Sequence, residues 1–403
     1  MIWLACVVVA SVLGSAAHAG SAEDADPPGA PQPPAEAVVG DLPMLEGYPT
    51  RVMVDLAPEG QRPLVMLLDT GASDNMVTPL MARQLGVTVR PAKGTPYRKA
   101  TRLGRDIQFW VDTASSDTGS KTGWEYGLLG GSFLDDYILE LDYPGKRVRF
   151  LDSKQFRLPD EVDAPDEVVT KFKRAGTRII VDVEIDEGKA RVMLDTGAPG
   201  TLVLSGKAAR KADIDVDSLE SFGTAGTVLG PMEVRLMEAE KVRWAGFDLG
   251  PLPLEVAPKG WYNQAGPSDS VVGYDVLRQF VLRIDYKRKR IWLKRSGDPE
   301  PTLFGVQWSL VKELGAFFMP AEPGQFLVWR VRPGSWAAHH GFENGDIVVG
   351  SKGLTVTEIR RRVESGEDLE VARDLGGKEL ELVRIGGGPA QGSEPEVSAE
   401  PGS

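Results

Sequence analysis

Leu67-Leu68-Asp69-Thr70-Gly71-Ala72 recurs as Met193-Leu194-Asp195-Thr196-Gly197-Ala198, each time after an apolar, strand-like run. Each copy leads to a second shared phrase. Leu128-Leu129-Gly130 is followed by Phe133-Leu134, Tyr137 and Leu141-Asp142-Tyr143. Val271-Val272-Gly273 is followed, at the same internal spacing, by Val276-Leu277, Phe280 and Ile284-Asp285-Tyr286. Two phrases repeated in one order mark a duplicated structural unit. Each unit offers one Asp in a tight Gly turn, which predicts two carboxylates meeting across a pseudo-twofold axis.

The rest of the composition narrows the chemistry. At 403 residues the chain can hold two or three domains with real cores. A formal net charge of -12 argues against a nucleic-acid partner and against anionic lipid. Ile2 to Gly14 is almost wholly apolar and Ala17-His18-Ala19 fits a small-x-small cleavage site, so residues 1–19 are read as a signal peptide. No basic n-region precedes them, and a retained anchor stays open as an alternative, although the stretch is short for a bilayer span. Export to a periplasm or to the medium is expected, with no membrane contact beyond this segment. Cleavage removes Cys6, the single cysteine, and leaves His339 and His340 as the only histidines. That excludes a Cys nucleophile, a thiolate metal site and an HExxH zinc helix. No metal or cofactor is expected. Carboxylates are what remain.

Along the chain, residues 20–46 carry Pro27-Pro28, Pro31 and Pro33-Pro34 and read as a disordered linker. Residues 47–155 form the first unit, 156–175 an acidic linker, and 176–297 the second unit. Both units read as β-rich. Arg51 to Leu56 and Ile180 to Ile185 alternate before each Asp-bearing strand. Short helices are expected at Pro79 to Leu85 and Ser205 to Ala212. Hairpin turns are expected at Tyr143-Pro144-Gly145-Lys146 and Tyr286-Lys287-Arg288-Lys289. Residues 298–386 follow a different grammar, and 387–403 read as a disordered tail rich in Gly, Pro, Glu and Ser.

Hydrolysing a peptide without a metal or a covalent intermediate needs one group to take a proton from water and another to give one to the amide. Two close carboxylates supply both, because they do not readily ionise together and so share a proton. The Gly after Asp-Thr permits the tight turn, and Thr can bond through its hydroxyl across the axis.

With these motifs the chain resembles an aspartic peptidase of the retropepsin and pepsin superfamily, with both lobes fused in one polypeptide. Leu67 to Asp74 is especially similar to a retropepsin. The resemblance spans Arg51 to Leu293. It implies a mainly β fold, with two homologous acid-protease β-barrel lobes and the active site between them. It makes Asp69 and Asp195 the catalytic pair, supported by Thr70, Gly71, Thr196 and Gly197, with Gly130 and Gly273 marking the strands behind the Asp loops. A polypeptide substrate and a monomeric chain follow from it. Asp117-Thr118-Gly119 lacks a preceding apolar strand and reads as an ordinary loop. The second motif continues Pro199-Gly200 where the first has Ser73-Asp74, so the lobes differ beside the site, where Ser73 and Asp74 are candidate substrate contacts. Flaps are expected at Phe222 to Thr227, with Gly223 and Gly226 giving mobility, and at Thr95 to Lys99, where Tyr97 resembles the flap tyrosine of pepsin-like enzymes.

In the third segment, Val331-Arg332-Pro333-Gly334-Ser335-Trp336-Ala337-Ala338, Gly341-Phe342 and Gly345-Asp346-Ile347 resemble the core of a bacterial PDZ domain, a PDZ-like β-barrel with short helices. Protein C-termini would be its partners, through a carboxylate loop at Phe304-Gly305-Val306 (Gly305 and Val306) or at the rival Leu314-Gly315-Ala316. A non-catalytic peptide-binding protein that keeps the lobes, and a scaffold built on the PDZ-like segment, are the alternatives to an endopeptidase.

Overall fold

The structure is a computed structural model that describes residues 32–46, 51–85, 97–104, 106–111, 126–198, 200–219, 221–227, 230–258, 270–296, 308, 311–320, 325–329, 331–350, 354–373 and 381–385. It is mainly β, and the chain divides into two compact units, residues 1–306 and 307–403.

The repeat seen in sequence is a repeat in topology. The first lobe's sheet runs Met53–Asp55, Val65–Leu68, Gly127–Leu129, Met76–Val77, Asp106–Val111, Tyr97–Ala100. The second runs Lys173–Ala175, Arg178–Ile185, Gly188–Leu194, Val271–Val272, Leu202–Ser205, Phe247–Ala257, Gly230–Trp244, Ser221–Thr227, and from its second strand onward repeats the order of the first. In both, the Asp-bearing strand lies parallel to the strand of the Gly phrase, with Leu68 opposite Leu129 and Leu194 opposite Val272. Parallel neighbours need a long excursion between them, and each excursion includes a capped helix. Thr78 Oγ1 accepts the Met81 amide at 3.2 Å before helix Pro79–Gln84, and Ser205 Oγ accepts the Ala208 amide at 3.2 Å before helix Gly206–Lys211.

A third sheet joins the lobes. Its six strands are antiparallel, in the order Val38–Pro43, Arg147–Asp152, Tyr137–Asp142, Phe280–Asp285, Arg290–Arg295, Glu167–Lys171. Each lobe supplies one hairpin to its centre, where Leu141 stands opposite Leu282 and Leu139 opposite Ile284. All four are fully buried in one apolar core that runs through both lobes. Burying a Leu or Ile side chain stabilises the fold by about 1.5–3 kcal/mol, so this seam holds the lobes in register. The hairpin turns at Lys146 and Lys289 both take positive φ, 50° and 55°.

Two expectations need correction. Part of the stretch read as a disordered linker, 20–46, is ordered: Val38–Pro43 is a strand against Arg147–Asp152, and Ala37 is buried. A prolyl-rich composition hid a short run that an exposed sheet edge can recruit. The acidic linker 156–175 likewise contains strands Glu167–Lys171 and Lys173–Ala175, and Phe156 and Leu158 are buried. The ladder bonds of both strands come from the second lobe, at Arg290–Arg295 and Arg178–Ile185.

The second unit holds a five-stranded antiparallel sheet, in the order Phe317–Pro320, Gln325–Trp329, Ile347–Val349, Leu369–Arg373, Glu381–Ile385. Helix Trp336–His339 starts on Ser335, whose Oγ accepts the Ala338 amide at 3.3 Å, and Gly334 just before it has φ 69°. Asp346 opens its strand fully buried, neutralised by Arg373 through two bonds of 2.7 Å. Helix Val356–Glu364 buries Val356, Ile359 and Val363 on one face.

Candidate active site

Each Asp is placed by the strand behind it. The Asp69 amide donates to Leu129 O and the Asp195 amide to Val272 O, both at 3.0 Å. The chain then turns so that the Gly71 and Ala72 amides donate to Asp69 Oδ1, both at 2.9 Å. The Gly197 and Ala198 amides donate to Asp195 Oδ1 at 2.9 and 3.2 Å.

The threonines lock the two loops together. The Thr70 amide donates to Thr196 Oγ1 and the Thr196 amide to Thr70 Oγ1, both at 3.1 Å. Each hydroxyl then donates onward to the opposite strand, Thr70 Oγ1 to Leu194 O at 2.7 Å and Thr196 Oγ1 to Leu68 O at 2.6 Å. Both threonines are fully buried, where an unpaired hydroxyl would cost about 1–3 kcal/mol. This lattice brings the Asp69 and Asp195 carboxyls into hydrogen-bonding contact with each other.

The glycines explain how close that approach is. A Cβ on Gly71 would lie 2.5 Å from Asp195 Oδ2, and one on Gly197 would lie 2.7 Å from Asp69 Cγ. Each loop's Gly is thus the seat of the other lobe's carboxyl. Gly130 and Gly273 do a related task, since a Cβ there would lie 2.4 Å from Asp74 O and Gly200 O respectively.

The electrostatics are unequal. Burial raises the Asp69 pKa, while the bond with Asp195, the Ala72 and Gly71 amides and the Arg51 charge oppose the rise. Asp195 is pushed well above the carboxylate range, by burial first and then by the negative charge of Asp69. Two carboxyls so arranged hold one proton between them over a wide pH range. Among the described residues no cluster of His, Cys, Asp and Glu is suited to a metal ion.

The other expected positions scatter. Ser73 and Asp74 lie in the Asp69 loop, Ser73 partly buried and Asp74 exposed. Gly223 and Gly226 sit in strand Ser221–Thr227, which forms a hairpin with Gly230–Trp244, and Gly226 pairs with Pro231 next to its tip. Tyr97 opens a strand and stands opposite Phe109. Thr95, Pro96, Asp117, Gly305 and Val306 lie outside the described residues. The rival turn Leu314-Gly315-Ala316 leads into Phe317–Pro320, an edge strand of the second unit's sheet, with Gly315 at φ 70°.

Several residues that matter here were missed in the sequence. Arg178, at the start of the second lobe's first long strand, donates from Nε to Gly71 O at 3.0 Å and so braces the first lobe's loop. Its counterpart Arg51 bonds the Tyr126 hydroxyl and places its charge near Asp69. An Arg two residues before Met53 and two before Ile180 was the available signal. Asn75 ties the Asp69 loop to the Gly phrase, accepting the Gly130 amide at 2.8 Å and donating to Gln108 O at 2.8 Å.

The loops also differ in length. Thr78 caps its helix nine residues after Asp69, whereas Ser205 comes ten after Asp195. Met76, which opposes Leu128 and Trp110, is therefore the counterpart of Val203, which opposes Val271 and Glu255. Leu67 also opposes Leu128, so Leu67, Leu128, Met76 and Trp110 share the sheet face that Asp69, two residues beyond Leu67, continues. On that face Met76 is 37% and Trp110 40% exposed, while Val203 and Glu255 are 7% and 6% exposed. The first lobe leaves this apolar pair exposed, whereas the matching positions of the second, Val203 and the acidic Glu255, are covered.

The sequence model of an aspartyl protease family matches residues 181–276, which include Asp195 and Gly273. Among solved structures, a retropepsin-like aspartic protease from Rickettsia conorii aligns at 22% identity over 32% of this chain and 90% of its own, with a TM-score of 0.26. No curated protein matches the chain. The family match supports a protease function.

Proposed function

We propose that the chain is an exported aspartic endopeptidase that acts as a monomer on polypeptide substrates. The observation that carries this reading is the hydrogen-bonded pair Asp69 and Asp195, clamped by reciprocal Thr70 and Thr196 bonds. A water held between the carboxyls gives its proton to the ionised one as its oxygen attacks the scissile carbonyl. The protonated carboxyl gives its own to the carbonyl oxygen. As the diol collapses, the carboxyl that took the water's proton passes it to the leaving amine and the other recovers a proton from a diol hydroxyl. The two carboxyls share one proton, so one serves as base while the other serves as acid. Hairpin Ser221–Thr227 with Gly230–Trp244 would close over the substrate as a flap.

The test is incubation of the purified protein with a library of unstructured peptides, with cleavage read by mass spectrometry. Internal cleavage that is lost on adding a statine-type transition-state mimic is expected. Binding of peptides without turnover would favour the non-catalytic reading.

The exposed pair Met76 and Trp110 would take a bulky apolar side chain of the substrate. Trp110→Ala is expected to lower kcat/KM about tenfold for peptides with such a residue and little for small-residue peptides. Equal losses for both peptide sets would remove Trp110 from the substrate path.

The second unit would act as a PDZ-like module. An extended C-terminus would add to the edge strand Phe317–Pro320, its carboxylate received at the Leu314-Gly315-Ala316 turn. A chain ending near Gly297 is expected to keep cleaving short peptides while handling proteins with a particular C-terminus less well. Loss of short-peptide cleavage in a folded truncation would tie the second unit to the active site. Export rests on the apolar leader Ile2 to Gly14 and its Ala17-His18-Ala19 site.

A further inference from the structure

In the sheet that joins the lobes, Glu140 stands directly opposite Arg283. These two residues occupy the same position of the repeat, two residues before Asp142-Tyr143 and two before Asp285-Tyr286. A residue facing its own counterpart lies on the pseudo-twofold axis. Both are nearly fully buried, 1% and 3% exposed, and Arg283 Nε bonds Glu140 Oε2.

The neighbours are tuned to match. One cross-strand row runs Asp41, Arg149, Glu140, Arg283, Trp292. Arg149 Nη1 bonds Glu140 Oε1 at 2.8 Å, and its Nε lies 3.4 Å from Asp41. At the position equivalent to Arg149 the second lobe has Trp292, and the Arg283 guanidinium lies 4.4 Å from its ring centroid. The acid is flanked by a cation and the cation by an aromatic face.

In a symmetric pairing of like lobes the axial residue must meet its own copy. Two first lobes would bring Glu140 against a second Glu140, and two second lobes would bring Arg283 against a second Arg283. Like charges directly opposite in a sheet are destabilising, more so when desolvated. In a pair of first lobes each Glu140 would keep its own Arg149 on Oε1 but lose the Arg283 bond to Oε2, leaving the two acids face to face.

We propose that Glu140 and Arg283 form a charge key on the axis, positioning the lobes and restricting their association to unlike partners. The Asp pair is then assembled within one chain rather than from two copies of one lobe. The proposal goes beyond the peptidase reading, and its readouts do not depend on turnover.

The experiment uses the full chain carrying Glu140→Arg, Arg283→Glu or both, followed by thermal melting and light scattering. Each single reversal is expected to lower the melting temperature. The double reversal, which restores opposed charges but keeps Arg149 and Trp292 as neighbours, is expected to be more stable than the weaker single and monomeric. Co-refolding the two single variants is expected to give a species of twice the 43.6 kDa chain mass. In that species the first lobe of the Glu140→Arg chain meets the second lobe of the Arg283→Glu chain with the charges reversed. The two remaining lobes, unaltered, form the native pair at the second axis. If a single variant fails to fold, the double variant alone decides whether the opposed charges matter. A double variant no more stable than the weaker single, or a co-refolded mixture that stays wholly monomeric, would overturn the proposal.

Discussion

Asp69→Asn and Asp195→Asn are each expected to lower kcat by about 10²–10⁴-fold or more, the usual range for removing a positioned acid or base. Neither variant can share a proton as the native pair does. Mixing the two variants should restore nothing, because the proposed site draws both lobes from one chain. The same substitutions separate chemistry from stability. Burial holds both carboxyls above the ordinary value of 3.8, Asp195 by the larger margin. The folded chain therefore binds protons that the unfolded chain releases. Stability from this source is full below pH 3.8 and declines as pH rises through the raised folded values. Asp195→Asn removes that decline, so the inactive variant should melt at a higher temperature than the native protein at pH 7, with the difference shrinking near pH 3.5. A variant less stable than the native chain at pH 7 would mean that the buried carboxyl is not under strain. Retained activity would mean that the pair has been misassigned.

Gly71→Ala and Gly197→Ala are expected to be nearly as damaging to activity as loss of an Asp. The added methyl would lie 2.5 Å from Asp195 Oδ2 or 2.7 Å from Asp69 Cγ, well inside contact distance. The carboxyl must move, and a displacement near 1 Å at a reacting group costs on the order of 10²-fold in rate. Overpacking at such a seam destabilises by about 1–3 kcal/mol. Gly60→Ala, in the first lobe but with nothing within 4 Å of the added atom, is the control; its positive φ of 74° adds only local strain. Comparable kcat values for Gly71→Ala and the control would show that the loop has slack that the contact distances deny.

The duplication, the β character of both lobes, the helix after each Asp turn and the pairing of Asp69 with Asp195 were all legible in the sequence. Each depends on local and repetitive features: an apolar run, a Gly turn, a capping hydroxyl, a spacing kept twice. A repeat reports symmetry without needing coordinates, because two copies of one fold bury the same faces. Positions where the copies differ were harder to read. In the letters, Met76-Val77 aligns with Leu202-Val203, yet one extra residue in the second loop makes Val203 the counterpart of Met76. A one-residue slip turns every side chain of a strand to the other face, so the exposed pair Met76 and Trp110 was invisible until pairing fixed the register.

The strand at Val38–Pro43 was hidden for a different reason. Its ladder bonds come from Arg147–Asp152, about a hundred residues away, and local composition carries no trace of them. Arg178 and Glu140 belong to the same class, as each has its meaning only in what the other lobe places opposite. The sequence by itself determined that one Asp-Thr-Gly turn after an apolar run occurs in two copies of one unit. The tertiary structure decided which apolar faces stay exposed and what holds the lobes in register, because those properties come from contacts between distant segments rather than from any one stretch of chain.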